Sequence, residues 1–288
     1  MERKLINRIE SEFETLVMDE RKGIDCVPFS NPIAVNLQDE STYYHSIYVV
    51  YNPSMKHCKT LPAPPFREAP VIGIERSRNI VDIRKDVLHI GIYSSKTDSW
   101  RDAGEPFPFP SPVRLWQSGV YWKGSVHWID QWSGTLHYFN SDCESMKTVA
   151  MPVQSYSGGD YSKHILYFGE CKGHVHLMLM VKGDIPRFDI WEMRMEYSGW
   201  NVKYCVDLSP LTTVYPSILL ERAQFFGRFA LDILLIEEGE DSSRLILWIP
   251  ENKMISFDLD NKNFKEMYDV NPGVRVQGFQ YMEALSHV

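Results

Sequence analysis

From Tyr43 onward the chain alternates short runs rich in β-branched and aromatic residues with breaks of Asn, Asp, Gly, Ser and Pro. Runs of that length, bounded by turn residues, specify strands rather than helices. One complete meander is legible: 119–122 turns through Lys123-Gly124 into 125–129, Gly134 leads into 135–139, and a polar break precedes 146–150. Runs at 43–51, 87–93 and 99–101 precede it. Others at 167–170, 174–180, 188–195, 200–208, 244–249, 254–259 and 264–268 follow. Prolines at 62, 64 and 65 and again between 106 and 112 cannot donate to a central ladder, so these stretches read as connections between units.

Aromatic residues close comparable strands at Tyr51, Tyr93, Phe139, Trp191 and Trp248, spaced by 42 to 57 residues. Four strands and three turns need roughly 40–50 residues, so the spacing describes a degenerate repeat. Radially arranged sheets would bury both faces of each unit while keeping edges short. The expected architecture is therefore all-β, a degenerate β-propeller of five or six units, with an open β stack or a two-sheet sandwich as alternatives. Trp100, Trp128, Trp191 and Trp248 are assigned to inter-sheet packing.

The opening differs. Leu5, Ile9, Phe13 and Leu16 or Val17 recur about every four residues among charges, which predicts a short amphipathic helix at the N-terminus. The domain reading is a helical segment over 1–22 followed by one β body over 23–288.

Composition narrows the class. With 14 Phe, 15 Tyr and 8 Trp in 288 residues, the chain carries enough bulk for a large core. Its formal charge of -8 argues against a broad nucleic-acid footprint. No secretory apolar run and no stretch near 20 apolar residues is present, which predicts a soluble cytoplasmic or nuclear protein with no membrane partner. Five dispersed cysteines lack a zinc-ribbon spacing and fit a reduced compartment.

The pieces Val50-Tyr51-Asn52-Pro53 with Leu61-Pro62-Ala63-Pro64-Pro65, Ile92-Tyr93-Ser94-Ser95-Lys96-Thr97-Asp98-Ser99-Trp100-Arg101 and Gly119-Val120-Tyr121-Trp122-Lys123-Gly124-Ser125-Val126-His127-Trp128 occur in that order. Tyr138-Phe139, Tyr167-Phe168-Gly169-Glu170 and the run from Trp200 to Leu208 continue it. Over about residues 43–270 this order resembles the body of plant F-box-associated proteins. The resemblance implies a kelch-like β fold that recognises a protein substrate while an N-terminal F-box engages the adaptor of a ubiquitin ligase. Residues 1–22 are too short for an F-box, which needs about 40–50 helical residues. Two options stay open: an F-box upstream of this sequence, in which case a ligase adaptor is a partner, or a member uncoupled from the ligase.

The functional expectation is a protein-recognition module related to F-box substrate receptors. Its alternative is an enzyme that converts a plant small molecule by cofactor-independent isomerisation, cyclisation or cleavage. Trp116, Tyr121, Trp122 and Trp132 are the binding candidates, because clustered aromatics supply pocket walls or interface anchors. His127 and His176 are the catalytic candidates. His174 and His176 share one face of a strand, yet no third ligand has metal-site spacing, so no metal and no cofactor are expected. Asp184, Asp189, Glu192 and Glu196 read as solvated carboxylates. Phosphate-loop and serine-elbow motifs are absent.

Overall fold

The computed structural model describes residues 14–19, 23–28, 35–38, 44–47, 49–52, 57–62, 79–84, 87–94, 96–103, 107–108, 119–130, 134–152, 165–180, 186–219, 230–240 and 242–269. Three antiparallel hairpins come first. Strand β1 (Glu14–Asp19) pairs with β2 (Gly23–Pro28), β3 (Val35–Gln38) with β4 (Tyr44–Ile47), and β5 (Val49–Asn52) with β6 (His57–Thr60). The predicted N-terminal helix is thus corrected over Glu14–Asp19. That stretch pairs in register with the next strand, Glu14 opposite Pro28 and Asp19 opposite Gly23. The run Thr15-Leu16-Val17-Met18 carries two β-branched residues, and their restricted χ1 suits a pleated strand. Residues 1–13 lie outside the described residues.

Four larger antiparallel sheets follow in chain order. The first holds β7 (Asn79–Arg84), β8 (Val87–Ser94), β9 (Ser99–Asp102) and β10 (Phe107–Pro108), with β8 flanked by β7 on one side and by β9 and β10 on the other. The second is a plain meander of β11 (Val120–Trp122), β12 (Ser125–Asp130), β13 (Thr135–Asn140) and β14 (Ser145–Ala150). The third runs β15 (Ile165–Cys171), β16 (His174–Met180), β17 (Arg187–Met193) and β18 (Trp200–Asp207). The fourth runs β19 (Asp232–Glu238), β20 (Ser243–Ile249), β21 (Lys253–Asp258) and β22 (Phe264–Asp269). Between the last two lie a short helix α1 (Ser209–Val214), with proline in its first turn where a missing N–H is harmless, and a 3-10 turn over Pro216–Leu219.

The meanders in the second and third sheets open with the same device. Lys123-Gly124 and Lys172-Gly173 are two-residue turns with positive φ at both positions, the mirror-image turn whose twist matches the flanking strands.

Apolar layers join each sheet to the next. Ile90, Ala103, Val126, Trp128 and Phe139 fill the seam between the first and second sheets. Trp122, Ile129, Leu136, Ile165, Phe168 and Leu177 belong to the seam between the second and third. Met178, Phe188, Ile190, Ile236, Leu245 and Leu247 belong to that between the third and fourth. Strand parity explains the sorting: Val175, Leu177 and Leu179 of β16 face back, while His176, Met178 and Met180 face forward. Because both faces are covered, the strand interiors read as continuous apolar runs.

The kelch-like propeller expectation is corrected here. Among the described residues the protein is mostly β-strand, but its four larger sheets are separate and do not close into a ring. Among the described residues the apolar layers run first to second, second to third and third to fourth, and none joins the fourth sheet to the first. A repeat length specifies a meander, whereas closure depends on the rotation between successive sheets, which residue spacing does not encode.

The four assigned tryptophans divide. Trp128 is fully buried in its seam and Trp191 packs at the edge of the next. Trp100 tilts against Tyr93 at a centroid distance of 5.3 Å and donates its indole N–H to Pro62 O at 2.8 Å. Trp248 packs with Leu234, Ile246 and Met254, all within the fourth sheet, so among the described residues it joins no second sheet.

Candidate functional site

Two clusters of polar and aromatic side chains lie between sheets. The first fastens the second sheet to the third. His127 of β12 is wholly buried, and its ring lies near parallel to Tyr138 of β13 (5.4 Å, 17°) and to Tyr197 (5.7 Å, 10°). Tyr138 and Tyr197 stack at 4.3 Å, and Trp122 tilts against Tyr197 at 5.1 Å. Tyr197 comes from the tight turn joining β17 to β18, where it adopts φ 58°. A non-glycine residue held in that region costs about 1–3 kcal/mol, which the buried stack offsets.

Hydrogen bonds fix the imidazole. His127 Nδ1 lies 3.0 Å from the Val120 carbonyl, which can only accept, so Nδ1 carries the proton and donates. Nε2 therefore accepts from the Tyr197 hydroxyl at 3.0 Å. Burial lowers the His127 pKa from its ordinary 6.5 to about 4, against the raising effect of hydrogen bonds to backbone at Val120 and Ser125. Burial likewise pushes the Tyr197 phenol up. At neutral pH His127 is thus an uncharged brace with both nitrogens engaged, a poor general base.

Around this brace the hairpin tips interlock. The Trp122 indole donates to Gly173 O at 2.6 Å, and the Lys123 ammonium donates to Met195 O at 2.8 Å while lying 5.5 Å from the Trp122 ring centroid. Tyr121, on the opposite face of β11 from Trp122, is 43% exposed, and Met195 is 41% exposed. Two large apolar side chains thus stand in solvent on two tips that the Lys123 contact joins.

The second cluster lies between the third and fourth sheets. His176 of β16, fully buried, places Nε2 3.3 Å from Glu192 Oε2 of β17 and 3.2 Å from Glu238 Oε1 of β19. Lys203 reaches both carboxylates at 2.5 Å and lies 3.5 Å from His176 Nε2. A β-bulge aims this lysine. Ile190 pairs with Tyr204 but Trp191 pairs with Val202, leaving Lys203 as the extra residue of β18. The bond to His176, then that to Lys203, lowers the Glu238 pKa from 4.5 to about 2 against the cost of burial. The carboxylates in turn raise the Lys203 pKa, overcoming a larger single opposing contribution from burial.

Of the residues expected from sequence, Trp122 and His127 come together with ring centroids 5.7 Å apart. Tyr121 points away from them into solvent. Trp116 and Trp132 lie outside the described residues, as does Asp184. His176 occupies a different seam, so the two histidines share no site. Tyr138, Tyr197, Lys203 and Glu238 escaped sequence reading. Each joins its cluster through a partner distant in sequence, and only Glu192 had drawn notice as a carboxylate. Among the described residues, Cys143, Cys171 and Cys205 are not joined in disulfides. No helix among the described residues is long and apolar enough to cross a membrane.

No protein-family profile matches the chain. It is 23% identical over 283 residues to an F-box protein of Arabidopsis thaliana, with 86% of this chain and 66% of that protein covered. This is a distant link, and the chain spans slightly less than two thirds of that relative. Similar solved structures include the N-terminal domain of Nup159, at 10% identity and TM-score 0.41 over 73% of this chain and 51% of that one. A Bacteroides uniformis protein assigned as a 6-phosphogluconolactonase shows 10% identity and TM-score 0.44 over 89% of this chain and 78% of that one.

Proposed function

We propose that this chain is a protein-recognition module related to F-box substrate receptors, contacting its partner through the joined hairpin tips that carry Tyr121 and Met195. The observation that carries the reading is the contrast on β11. Trp122 is buried and committed to the seam, whereas Tyr121 beside it stands in solvent on a backbone that the Lys123 and Trp122 bonds hold in place. An exposed aromatic on a rigid support loses little conformational entropy on binding, which is the property of an interface anchor. The distant relation to an F-box protein supports the class of function. The His127 brace favours recognition over catalysis, since both of its nitrogens are occupied.

Affinity capture from Arabidopsis thaliana extract tests this, with the wild-type chain and a Tyr121→Ala/Met195→Ala double variant immobilised side by side. A protein retained by the wild type and lost from the folded variant is the expected result. Equal retention by both would reject the assigned surface, and recovery of only a small molecule that the chain converts would reject the recognition reading itself.

A further inference from the structure

We propose that His176, Glu192 and Glu238 form a divalent transition-metal site, with Zn²⁺ as its natural type of ion, in which the Lys203 ammonium is a displaceable internal cation. The proposal is independent of the recognition surface at Tyr121. Zinc holds imidazole nitrogen and carboxylate oxygen at about 2.0–2.2 Å, so two ligand atoms on one tetrahedral ion lie about 3.4 Å apart. His176 Nε2 is 3.3 Å from one carboxylate oxygen and 3.2 Å from the other, and all three atoms lie within 4.8 Å of one another. Two of the three edges already have ligand spacing. The third edge, between the two carboxylate oxygens that Lys203 bridges, is no longer than 4.8 Å.

The imidazole is the most deeply buried member of the cluster and aims Nε2 between the two carboxylates. His176 is fully buried, and its Nδ1 has no hydrogen-bond partner. With the proton on Nε2 the Nδ1 lone pair is orphaned; with it on Nδ1, the Nε2 lone pair faces two carboxylates. In the second tautomer Nε2 accepts from Lys203 at 3.5 Å, and a metal ion would take up that same lone pair as it displaces the lysine. His174 Nδ1, also buried without a hydrogen-bond partner, lies 3.6 Å from Glu192 Oε1 and flanks the second oxygen of that ligand.

Charge favours the exchange. Lys203 neutralises one of two carboxylates, while a divalent ion neutralises both. The lysine side chain keeps about a quarter of its surface in solvent and sits on a flexible stem, so its ammonium can swing out without moving the strand. The missing acceptor at His176 Nδ1 weakens the site, because the outer hydrogen bond of a ligating histidine is worth about 10–100-fold in affinity.

Titration of the purified chain with Co²⁺, read by its d–d absorption, and with Zn²⁺ in competition, tests the assignment. Lys203→Met keeps the apolar stem and removes the competitor. One Co²⁺ should bind per chain, at least tenfold more tightly in Lys203→Met than in the wild type. His176→Ala or Glu238→Gln added to Lys203→Met should abolish the spectrum. Absence of stoichiometric binding in folded Lys203→Met, or binding that survives both added changes, would overturn the site. The thermal midpoint gives a second readout. Lys203→Met should melt below the wild type without metal and recover with it, and a midpoint indifferent to metal would also refute the proposal.

Discussion

Replacing Trp128 with alanine tests whether the seam between the first two sheets holds this protein together. The indole is 1% exposed and packs with Ile90, Ala103, Val126 and Phe139. A tryptophan buries about 150–250 Å², which at 25 cal/mol/Å² is about 4–6 kcal/mol. Its Nε1 is buried without a hydrogen-bond partner, a desolvation cost of about 1–3 kcal/mol. The two opposing quantities leave about 1–5 kcal/mol, and the cavity left behind adds to it, which places Trp128→Ala at about 3–5 kcal/mol of destabilisation, the range for emptying such a site. Trp128→Phe keeps one ring in the seam and deletes the orphaned N–H, so its loss should be about 2 kcal/mol smaller. Equilibrium unfolding in urea, with unchanged slope as the check on two-state behaviour, measures both. An alanine variant within about 1 kcal/mol of wild type would refute the packing role. A phenylalanine variant as damaging as alanine would refute the account of the unpaired indole.

His127 predicts a pH dependence. Its folded pKa of about 4 lies below its ordinary 6.5, so protons bind the unfolded chain first, and stability present above pH 6.5 is lost as pH falls toward 4. The full difference is about 3 kcal/mol, and His127→Gln should flatten the fall in unfolding free energy across that window; parallel curves would reject it. Tyr197→Phe removes the hydroxyl that His127 Nε2 accepts from and should cost about 1–3 kcal/mol by leaving a buried nitrogen unpaired, read from the urea midpoint. Gly119→Ala should cost about 1–3 kcal/mol in the same assay, because a β-carbon there would sit 2.6 Å from Trp128 Nε1 and 2.8 Å from Val126 Cγ1.

The meanders were legible because local rules govern them. The strand runs from 119 to 150 match β11 to β14 within a residue or two, and the Lys-Gly pairs mark their turns. The final three runs correspond to β20, β21 and β22. The partner of β20 was missed: Asp232–Glu238 reads Asp-Ile-Leu-Leu-Ile-Glu-Glu, with no alternation and no β-branched residues other than isoleucine. The aromatic markers also drift. Phe139 and Trp191 lie in third strands, but Tyr93 and Trp248 lie in second ones, so a spacing of about one meander did not mean equivalent position. The helix α1 follows Leu208 with Ser-Pro-Leu-Thr-Thr-Val, too few residues to show a helical period.

The candidate sites were less legible than the fold, and the bulge in β18 shows the physical reason. Strict alternation from Tyr204 and Val206, which face the fourth sheet, would put Val202 on that face and Lys203 on the other. The extra residue breaks parity. Trp200 returns to the seam with the second sheet while Lys203 and Tyr204 both reach toward the fourth, one to Glu238 and the other to Ser243 Oγ at 3.0 Å. A bulge depends on which residue faces which across the ladder, information held by the pair of strands rather than by either one. The same reasoning covers His176, whose two-residue spacing from His174 revealed a shared face but not the carboxylates opposite it. Deleting the bulge residue, Lys203, should therefore leave a regular ladder, because Trp191 would still pair with Val202 and Ile190 with Tyr204. Trp200 should keep its seam and its bond to Ala150 O, so that the deletion, like Lys203→Met, removes only the ammonium between Glu192 and Glu238. Indole fluorescence of the two variants checks this, and a red-shifted spectrum in the deletion alone would show that the bulge residue is needed to set the facing of 200–202.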